Sequence, residues 1–340
     1  MLLWVRFLVV AAIALGATAS CQSQANRQEI STSNRTDCRT VEHKAGETEV
    51  CGQPERIVVL GDYFLESLLS LGLQPVAFAG VVAFHQGDYD NPSQQIPYLG
   101  NRIEQSIANV GTAYEPSIEA IAKVQPDLIV ANHGDSELYE ILSQIAPTIS
   151  LNRFEPKTNL KAIAVAVNRS GQAEQLLTET EQRINAARKT FAPVVAQNPK
   201  LLLFYSGQLK QIVFDAPDKP CYSLPQELGF QLVSLPELER SQPNSPLTPI
   251  SIEKLPQLND ADLIIVLGIN LEKGKQPDNF DHHQLSKIKQ AWQENAIAQS
   301  LDASKVGRVY FIPAYLCGTF PGAIGTELYL EELEQQLLSP

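Results

Sequence analysis

The same short pattern occurs twice, about half a chain apart. Residues 117–130 read SIEAIAKVQPDLIV, and residues 251–266 read SIEKLPQLNDADLIIV. Each copy has a serine that can cap a helix, a short amphipathic segment, an aspartate and a run of Val, Ile and Leu. An aliphatic run without alternation is typical of a strand covered on both faces of a parallel sheet. The repeat therefore predicts two α/β units, each with a helix that leads into a buried parallel strand.

Length and charge limit the class of protein. A chain of 340 residues is long for one hydrophobic core, so two domains are expected. Its 26 Lys and Arg residues and 38 Asp and Glu residues give a net charge of -12, and no basic stripe is visible. Nucleic-acid binding normally requires such a stripe. We therefore exclude nucleic acid as a partner.

The first twenty residues have the pattern of a secretory signal. The segment MLLWVRFLVVAAIALGATASC has a positive charge at Arg6, an apolar stretch at 7–15 and small residues before Cys21. The stretch is shorter than the roughly 20 apolar residues that span a membrane. The end resembles the lipid-attachment box of bacterial lipoproteins, except that Thr18 stands where leucine is usual. Two readings stay open: lipidation of Cys21, or ordinary cleavage after Ala19. Residues 21–37 are expected to form a flexible tether.

Export would permit disulfide bonds, and the chain has five cysteines. If Cys21 carries a lipid, four cysteines remain, which is enough for two disulfides. Cys38 and Cys51 flank a segment with a turn-like centre, and a hairpin folded there would place the two cysteines opposite each other. We predict a disulfide between them. Cys221 and Cys317 either form the second disulfide or are independent buried thiols.

The remaining chain alternates strand and helix patterns. Residues 57–80 predict a βαβ unit, in which loops at the carboxyl ends of the strands are the usual ligand site. A long helical run covers 159–194, and a strand pattern resumes at 200–207. We predict an N-terminal α/β lobe over 38–158, a connecting helix over 159–194 and a C-terminal α/β lobe over 195–340.

The order of these segments resembles one protein family. A hairpin with HKAGET, then PERIVVL, LESLLSLGLQPVA and the two repeat copies on either side of a long helix are similar to the class III substrate-binding proteins of ATP-binding cassette (ABC) importers. The similarity is greatest to the iron-siderophore branch, whose relatives bind cobalamin and haem. It implies two Rossmann-like lobes joined by a single long α-helix, with a ligand cleft between the lobes.

The resemblance also implies a function and a location. It implies a monomeric, periplasmic or cell-surface lipoprotein that captures a ferric siderophore or a ferric citrate-like chelate and delivers it to a membrane permease. Glutamates at the positions of Glu119 and Glu253 dock to the permease in this family. Either residue could instead be a favourable charge in the first turn of a helix. Glu66 is a weaker third docking candidate.

Family clefts hold anionic chelates with arginine and aromatic side chains. Loop positions after predicted strands give the candidates Tyr63, Arg102, Tyr114 and Arg153 in the first lobe and Tyr205, Arg240 and Tyr315 in the second, with His85 as a further possibility. A tyrosine of this set could instead lie at the edge of the core, and an arginine could be a surface charge.

Other functions fit the sequence less well. Haem or cobalamin binding stays open, with Tyr63, Tyr114 or His85 as haem ligands. Zinc or manganese would require histidine ligands, but His85, His133, His282 and His283 lack the spacing of a preformed site, so we predict no metal site and no cofactor. A secreted hydrolase is disfavoured because no G-x-S-x-G or H-E-x-x-H motif occurs. The bilobal α/β pattern disfavours a structural adhesin. We predict that the chain is not an enzyme.

Overall fold

A computed structural model describes residues 37–235, 247–272 and 279–338. The predicted signal peptide, most of the tether and the candidate lipidation residue Cys21 lie outside the described residues, as does Arg240. Within the described part of the chain, no helix is both long enough and apolar enough to cross a membrane.

The N-terminal lobe is a hairpin followed by a five-stranded parallel sheet with helices. Its strand order is β5-β4-β3-β6-β7. Its elements are β1 (Cys38–His43), β2 (Gly46–Cys51), β3 (Ile57–Leu60), α1 (Asp62–Ser70), β4 (Ala77–Gly80), α2 (Pro92–Gln95), a 3-10 turn (Gly100–Arg102), β5 (Ala108–Thr112), α3 (Ile118–Lys123), β6 (Leu128–Asn132), α4 (Ser136–Ser143), β7 (Thr148–Leu151) and α5 (Pro156–Ala166).

The C-terminal lobe follows a long helix and has a six-stranded mixed sheet. Its strand order is β11-β9-β8-β12-β13, with β10 also paired to β8. The elements in its described residues, including that helix, are α6 (Ser170–Gln197), β8 (Lys200–Ser206), β9 (Gln211–Asp215), α7 (Pro220–Leu228), β10 (Gln231–Leu232), β11 (Leu247–Ser251), a 3-10 helix (Ile252–Leu258), β12 (Leu263–Gly268), α8 (Phe280–Glu294), α9 (Ala296–Ser300), α10 (Asp302–Lys305), β13 (Val309–Pro313), a π turn (Tyr315–Thr319) and α11 (Ala323–Leu337).

The two copies of the repeat occupy corresponding places in the two sheets. Strands β6 and β12 are almost entirely buried, and each pairs in parallel with the first strand of its sheet, β3 and β8. The Asp127 carboxylate accepts hydrogen bonds from the backbone N–H groups of Glu55 and Arg56, at 2.8 and 2.9 Å. Asp262 accepts one from Lys200 N at 2.9 Å. The repeated aspartate therefore fixes the start of the neighbouring strand in each lobe.

The helices of the two copies differ. Ser117 caps α3 by accepting a hydrogen bond from Ala120 N at 3.3 Å, and Ser251 caps the second copy. The second copy is a 3-10 helix that contains Pro256. Proline has no N–H to donate to an α-helical ladder, which accounts for the tighter helix. The serine caps are confirmed, whereas the second copy is not an α-helix.

The single helical run predicted over 159–194 is two helices, so this boundary was wrong. Residues 156–166 form α5, which packs against α1 and β1 and belongs to the N-terminal lobe. The chain leaves the helix at Asn168, whose φ of 55° is left-handed. The long helix is α6, whose 28 residues span about 42 Å at 1.5 Å per residue. Two α/β lobes with one long helix between them confirm the predicted fold class.

The last helix, α11, joins the two hydrophobic cores. Ile324 in its first turn, and Phe320 just before it, pack in the core of the N-terminal lobe. Tyr329, Leu330 and Leu333 in its later turns pack in the core of the C-terminal lobe.

The predicted hairpin disulfide forms, and Cys221 and Cys317 form a second disulfide, one of the two readings of the sequence. Cys38–Cys51 closes the hairpin, and Cys221–Cys317 links α7 to the turn that precedes α11.

Candidate functional site

Tyr63 begins the group of site residues in the N-terminal lobe. It stands at the start of α1, directly after the central strand β3. Gly61 has a φ of 128°, and a Cβ added there would lie 2.6 Å from Cε2 of the Tyr63 ring. Glycine therefore lets the ring lie over the backbone. Tyr63 is 4% exposed, and its hydroxyl has no hydrogen-bond partner among the described residues.

Two other predicted residues lie beside Tyr63. Tyr114 follows β5 and Arg153 follows β7, so both are on loops at the carboxyl edge of the sheet. Nη1 of Arg153 donates a hydrogen bond to the Tyr114 hydroxyl at 3.0 Å. Burial raises the pKa of Tyr63 above its ordinary value, and Tyr114 adds to this while the charge of Arg153 opposes it. The structure thus brings Tyr63, Tyr114 and Arg153 together.

The C-terminal lobe faces this group through residues that the sequence analysis did not identify. Nζ of Lys219, just before α7, lies 5.2 Å from the centre of the Phe154 ring in the N-terminal lobe. The guanidinium carbon of Arg153 lies 4.5 Å from the same ring. Phe154 is 45% exposed. A cation from each lobe therefore contacts one aromatic ring where the lobes meet.

An acidic residue and a phenol lie on the C-terminal side of the site. Asp215 ends β9, and burial raises the pKa of its carboxyl, although the Ala216 N–H and the charges of Lys219 and Arg153 lower it. Tyr205 lies near the end of β8, and burial together with neighbouring groups, Asp215 among them, raises its pKa well above the ordinary value.

An open depression of about 530 Å³ adjoins Tyr205. Ser206, Gly207 and Ile269, at the carboxyl ends of β8 and β12, line part of it. The volume is in the range of small-molecule pockets, and the position is the usual ligand edge of an α/β sheet.

Tyr315 packs in an aromatic cluster that contains residues of both lobes. It lies 5.0 Å from Phe280 and 5.8 Å from Phe320 between ring centres, and Phe84 lies 5.2 Å from Phe280. Tyr315 is 4% exposed. The structure places it as a core residue, one of the two readings of the sequence.

Arg102 takes part in an ion pair between the lobes. Its Nη2 lies 3.5 Å from Oε2 of Glu327 in α11, and Nη1 of Arg183 in α6 lies 2.9 Å from the other oxygen of that carboxylate. The Glu327 carboxylate of α11 therefore links the 3-10 turn of the N-terminal lobe to α6. Arg102 is therefore not brought into the Tyr63 group.

Glu66 is a buried contact between the lobes, so its candidacy for permease docking was wrong. Its side chain, on α1, is fully buried. The two carboxylate oxygens accept hydrogen bonds from Gly322 N at 2.8 Å and Gly325 N at 2.6 Å, at the start of α11. The N-cap residue of α11 is Gly322, which has no side chain, so the Glu66 carboxyl takes the place of an N-cap side chain. Burial raises the pKa of Glu66 to about 7, although these N–H groups and the charge of Arg102 lower it.

The two candidate docking residues are both exposed, one in each lobe. Glu119 lies in the first turn of α3, and Glu253 lies in the first turn of the 3-10 helix. Their corresponding positions agree with the duplicated pattern. Their role stays a prediction.

Three of the four histidines considered as metal ligands have other polar neighbours, and the ring of His283 lies 3.1 Å from Nε2 of Gln284. His85 contacts Gln95 and the Asp88 carbonyl, and His133 lies 3.4 Å from Ser150 Oγ. Among the described residues, the one cluster of three metal-binding side chains is Cys38, Glu49 and Cys51, whose cysteines form the hairpin disulfide.

Lys219, Phe154 and Asp215 were missed because lysine, phenylalanine and aspartate are ordinary in loops. Their one recognisable signal is position. Phe154 comes shortly after the end of β7, whereas Asp215 ends β9 and Lys219 follows four residues later.

Known proteins resemble this chain along most of its length. The family model described as periplasmic binding protein matches residues 57–316. The probable siderophore-binding lipoprotein YfiY of Bacillus subtilis is 28% identical over 338 residues, 97% of this chain and 96% of the relative. The Fe(3+)-citrate-binding protein YfmC of the same organism is 27% identical over 299 residues, 86% and 84% of the two chains.

Solved structures share the fold. Staphylococcus aureus SirA complexed with staphyloferrin B superposes with a TM-score of 0.68 at 23% identity, over 88% of this chain and 98% of that one. Bacillus subtilis FeuA, a triscatecholate siderophore binding protein complexed with ferri-bacillibactin, gives a TM-score of 0.65 at 21% identity, over 88% and 100%.

Proposed function

The chain belongs to the periplasmic binding protein family, and from this premise we propose that it captures a ferric chelate between its lobes for an ABC importer. The observation that carries the proposal is the group of Tyr63, Tyr114 and Arg153, with Lys219 of the other lobe beside it at the Phe154 ring. The names of YfiY and YfmC, a siderophore-binding and a ferric-citrate-binding protein, support the chemical class of ligand.

The side chains at the site suit such a ligand. Ferric siderophores and ferric citrate present carboxylate, catecholate or hydroxamate oxygens around the iron. Guanidinium and ammonium groups donate charge-assisted hydrogen bonds to anionic oxygens, and phenol rings cover the apolar parts of a chelate. The protein binds the chelate as a whole, so it needs no resident metal ligand of its own.

Capture is a shift toward a closed state in which the ligand contacts both lobes. The continuous helix α6 joins the lobes, and α11 packs into both cores, so closure is a small hinge motion at the loops. We assign no catalytic residue, because a binding protein of an importer changes no covalent bond in its ligand.

Calorimetric titration of the mature chain tests the ligand class. The titrants are ferric citrate, a ferric tris-catecholate, a ferric trihydroxamate, haem and cobalamin, with the iron-free chelators, Zn(II) and Mn(II) as controls. We expect saturable 1:1 binding of a ferric chelate. Binding of haem or cobalamin alone would reassign the ligand within the family. Tight binding of Zn(II) or Mn(II) with no chelate bound would overturn the proposal.

We further propose that Glu119 and Glu253 dock the loaded protein to the permease. Exposed carboxylates on both lobes can orient a partner and raise the association rate. The double variant E119R/E253R should lose uptake of the ferric chelate in cells while its affinity for the chelate is unchanged. The matched control E47R/E181R makes the same charge change at two exposed glutamates outside the repeat. Lost chelate affinity in E119R/E253R would place the residues in the ligand site instead.

The proposed location is outside the cytoplasm, with a lipid on Cys21. The lipoprotein name of YfiY supports the anchor. Cys21→Ser should release the protein from the membrane fraction into the soluble fraction. An unchanged distribution would favour ordinary cleavage after Ala19.

A further inference from the structure

The Phe154 ring is shared by two cations that belong to different lobes. Arg153 approaches to 4.5 Å and Lys219 to 5.2 Å from the ring centre. Phe154 is 45% exposed, and a cation–π contact at an exposed ring is weak. Arg153 and Lys219 can therefore exchange the ring contact for hydrogen bonds to a ligand with anionic oxygens, because charge-assisted hydrogen bonds are stronger than this contact.

Neither cation has a carboxylate oxygen within hydrogen-bond distance among the described residues. The hydrogen bond found for Arg153 goes to a neutral phenol, Tyr114. The nearest carboxylate oxygen to Lys219 Nζ is that of Asp218 at 3.7 Å, beyond hydrogen-bond distance, and the Asp218 side chain is 77% exposed. Asp215 is near enough for both cations to lower its pKa, but it forms no ion pair with either of them in the described residues. One positive charge in each lobe thus remains available to a ligand.

A second observation points to a ligand at the same place. The Tyr63 hydroxyl is buried and has no hydrogen-bond partner among the described residues. It lies beside Tyr114, and the positive charge of Arg153 opposes the rise in its pKa that burial causes. Buried hydroxyl groups in folded proteins are normally hydrogen-bonded. A ligand oxygen next to Arg153 would supply the missing acceptor.

We propose that the site selects anionic ferric chelates that present anionic oxygens to both lobes at once, and that Lys219 determines this selectivity from the C-terminal lobe. The inference rests on the proposed function and narrows its ligand. Ferric citrate and ferric tris-catecholates are anionic. A ferric trihydroxamate has no net charge at the metal, because its hydroxamates balance the charge of iron(III).

The physical basis of the selection is the closing of the lobes. Closure removes water from Arg153 and Lys219, and burying a charge without a partner costs free energy. An anionic chelate compensates both charges, whereas a neutral chelate leaves them without counter-charges. Specificity then comes from the penalty against the neutral ligand as well as from contacts to the anionic one.

The test compares chelates of different charge on two variants. Lys219→Met keeps the aliphatic stem and removes the charge. The matched control is Lys289→Met, because Lys289 also lies over a phenylalanine, Phe311 at 5.9 Å, in the same lobe but on α8. Each protein is titrated with ferric citrate, a ferric tris-catecholate and a ferric trihydroxamate, and thermal unfolding checks that each variant is folded.

We expect the wild type to bind an anionic chelate in preference to the trihydroxamate. Lys219→Met should weaken binding of the anionic chelate by about 10- to 100-fold, as expected for loss of one hydrogen bond to a charged group. It should leave trihydroxamate binding unchanged or tighter, and Lys219→Arg should restore the preference. Lys289→Met should match the wild type.

Two results would overturn the inference while leaving the proposed function intact. One is equal wild-type affinity for neutral and anionic chelates. The other is a Lys219→Met variant that loses affinity for every chelate by the same factor, which would indicate a structural role only. Failure of the wild type to bind any ferric chelate would instead overturn the proposed function, and the inference with it.

Discussion

Replacing Glu66 by glutamine should remove a specific pH dependence from the stability of the protein. Burial raises the pKa of Glu66 to about 7 from an ordinary value of 4.5. Between these pH values the folded protein holds a proton on Glu66 that the unfolded chain has released. The stabilisation from this proton is therefore fully present below pH 4.5 and is lost as the pH rises through about 7.

The size of the effect follows from the two pKa values. The difference between 4.5 and about 7 corresponds to about 3 kcal/mol of unfolding free energy, at about 1.4 kcal/mol per pH unit. Glutamine cannot titrate, and its amide oxygen can accept only one of the two hydrogen bonds from Gly322 and Gly325. The lost hydrogen bond shifts the stability of the variant at every pH. The missing titration changes the slope of the unfolding free energy against pH.

Urea denaturation at several pH values between 4.5 and 8 measures both effects. The free energy of unfolding of the wild type, relative to that of Glu66→Gln, should fall by about 3 kcal/mol across this range. Asp62 is also buried, with its pKa raised to about 6, but it titrates in both proteins and cancels in the difference. Glu181→Gln, at an exposed position of α6, is the matched control and should run parallel to the wild type. Parallel curves for wild type and Glu66→Gln would refute the reasoning.

Three further predictions concern the second disulfide and the ligand site. Changing both Cys221 and Cys317 to serine should lower the free energy of unfolding by about 4 to 5 kcal/mol, because their bond closes a long loop; an unchanged urea midpoint would contradict this. Arg153→Lys should weaken chelate binding by about tenfold in a calorimetric titration, because lysine lacks the planar fork of donors; wild-type affinity would place Arg153 outside the ligand contacts. Gly61→Ala should cost about 1 to 3 kcal/mol of stability in thermal unfolding, since its φ is 128° and its Cβ would lie 2.6 Å from the Tyr63 ring; a variant as stable as the wild type would argue against that packing.

The fold was predictable from the sequence because its signals are local. The aliphatic runs that end both repeat copies are buried parallel strands, as expected from their lack of alternation. The aspartate before each run looked like part of a helix-to-strand connection, but it also binds the neighbouring strand through Asp127 and Asp262. The break at Asn168 was missed because helix-forming residues continue on both sides of it and only the backbone turns.

The site was predictable only in part. Tyr63, Tyr114 and Arg153 follow strands of one parallel sheet, whose carboxyl ends meet at one edge, so their proximity could be inferred. Glu66 follows the same rules as any glutamate in an amphipathic helix, and its burial depends on a helix more than 250 residues later. Contacts between lobes, such as Lys219 over Phe154, depend on how two folded units meet, which no short pattern encodes.

The shared helix α11 has a consequence for the order in which the protein is made. During synthesis the N-terminal lobe appears first, but Phe320 and Ile324, which complete its core, are made only after α6 and most of the C-terminal lobe. Until then the part of α1 that contacts α11 stays uncovered, and the Glu66 carboxyl lacks the N–H groups of Gly322 and Gly325 that donate to it. The first lobe therefore stays incompletely folded until residues 320–324 have been made. A fragment that stops before residue 320 should be unable to fold as an independent N-terminal lobe. A chaperone that binds incompletely folded chains would act mainly before residues 320–324 are made.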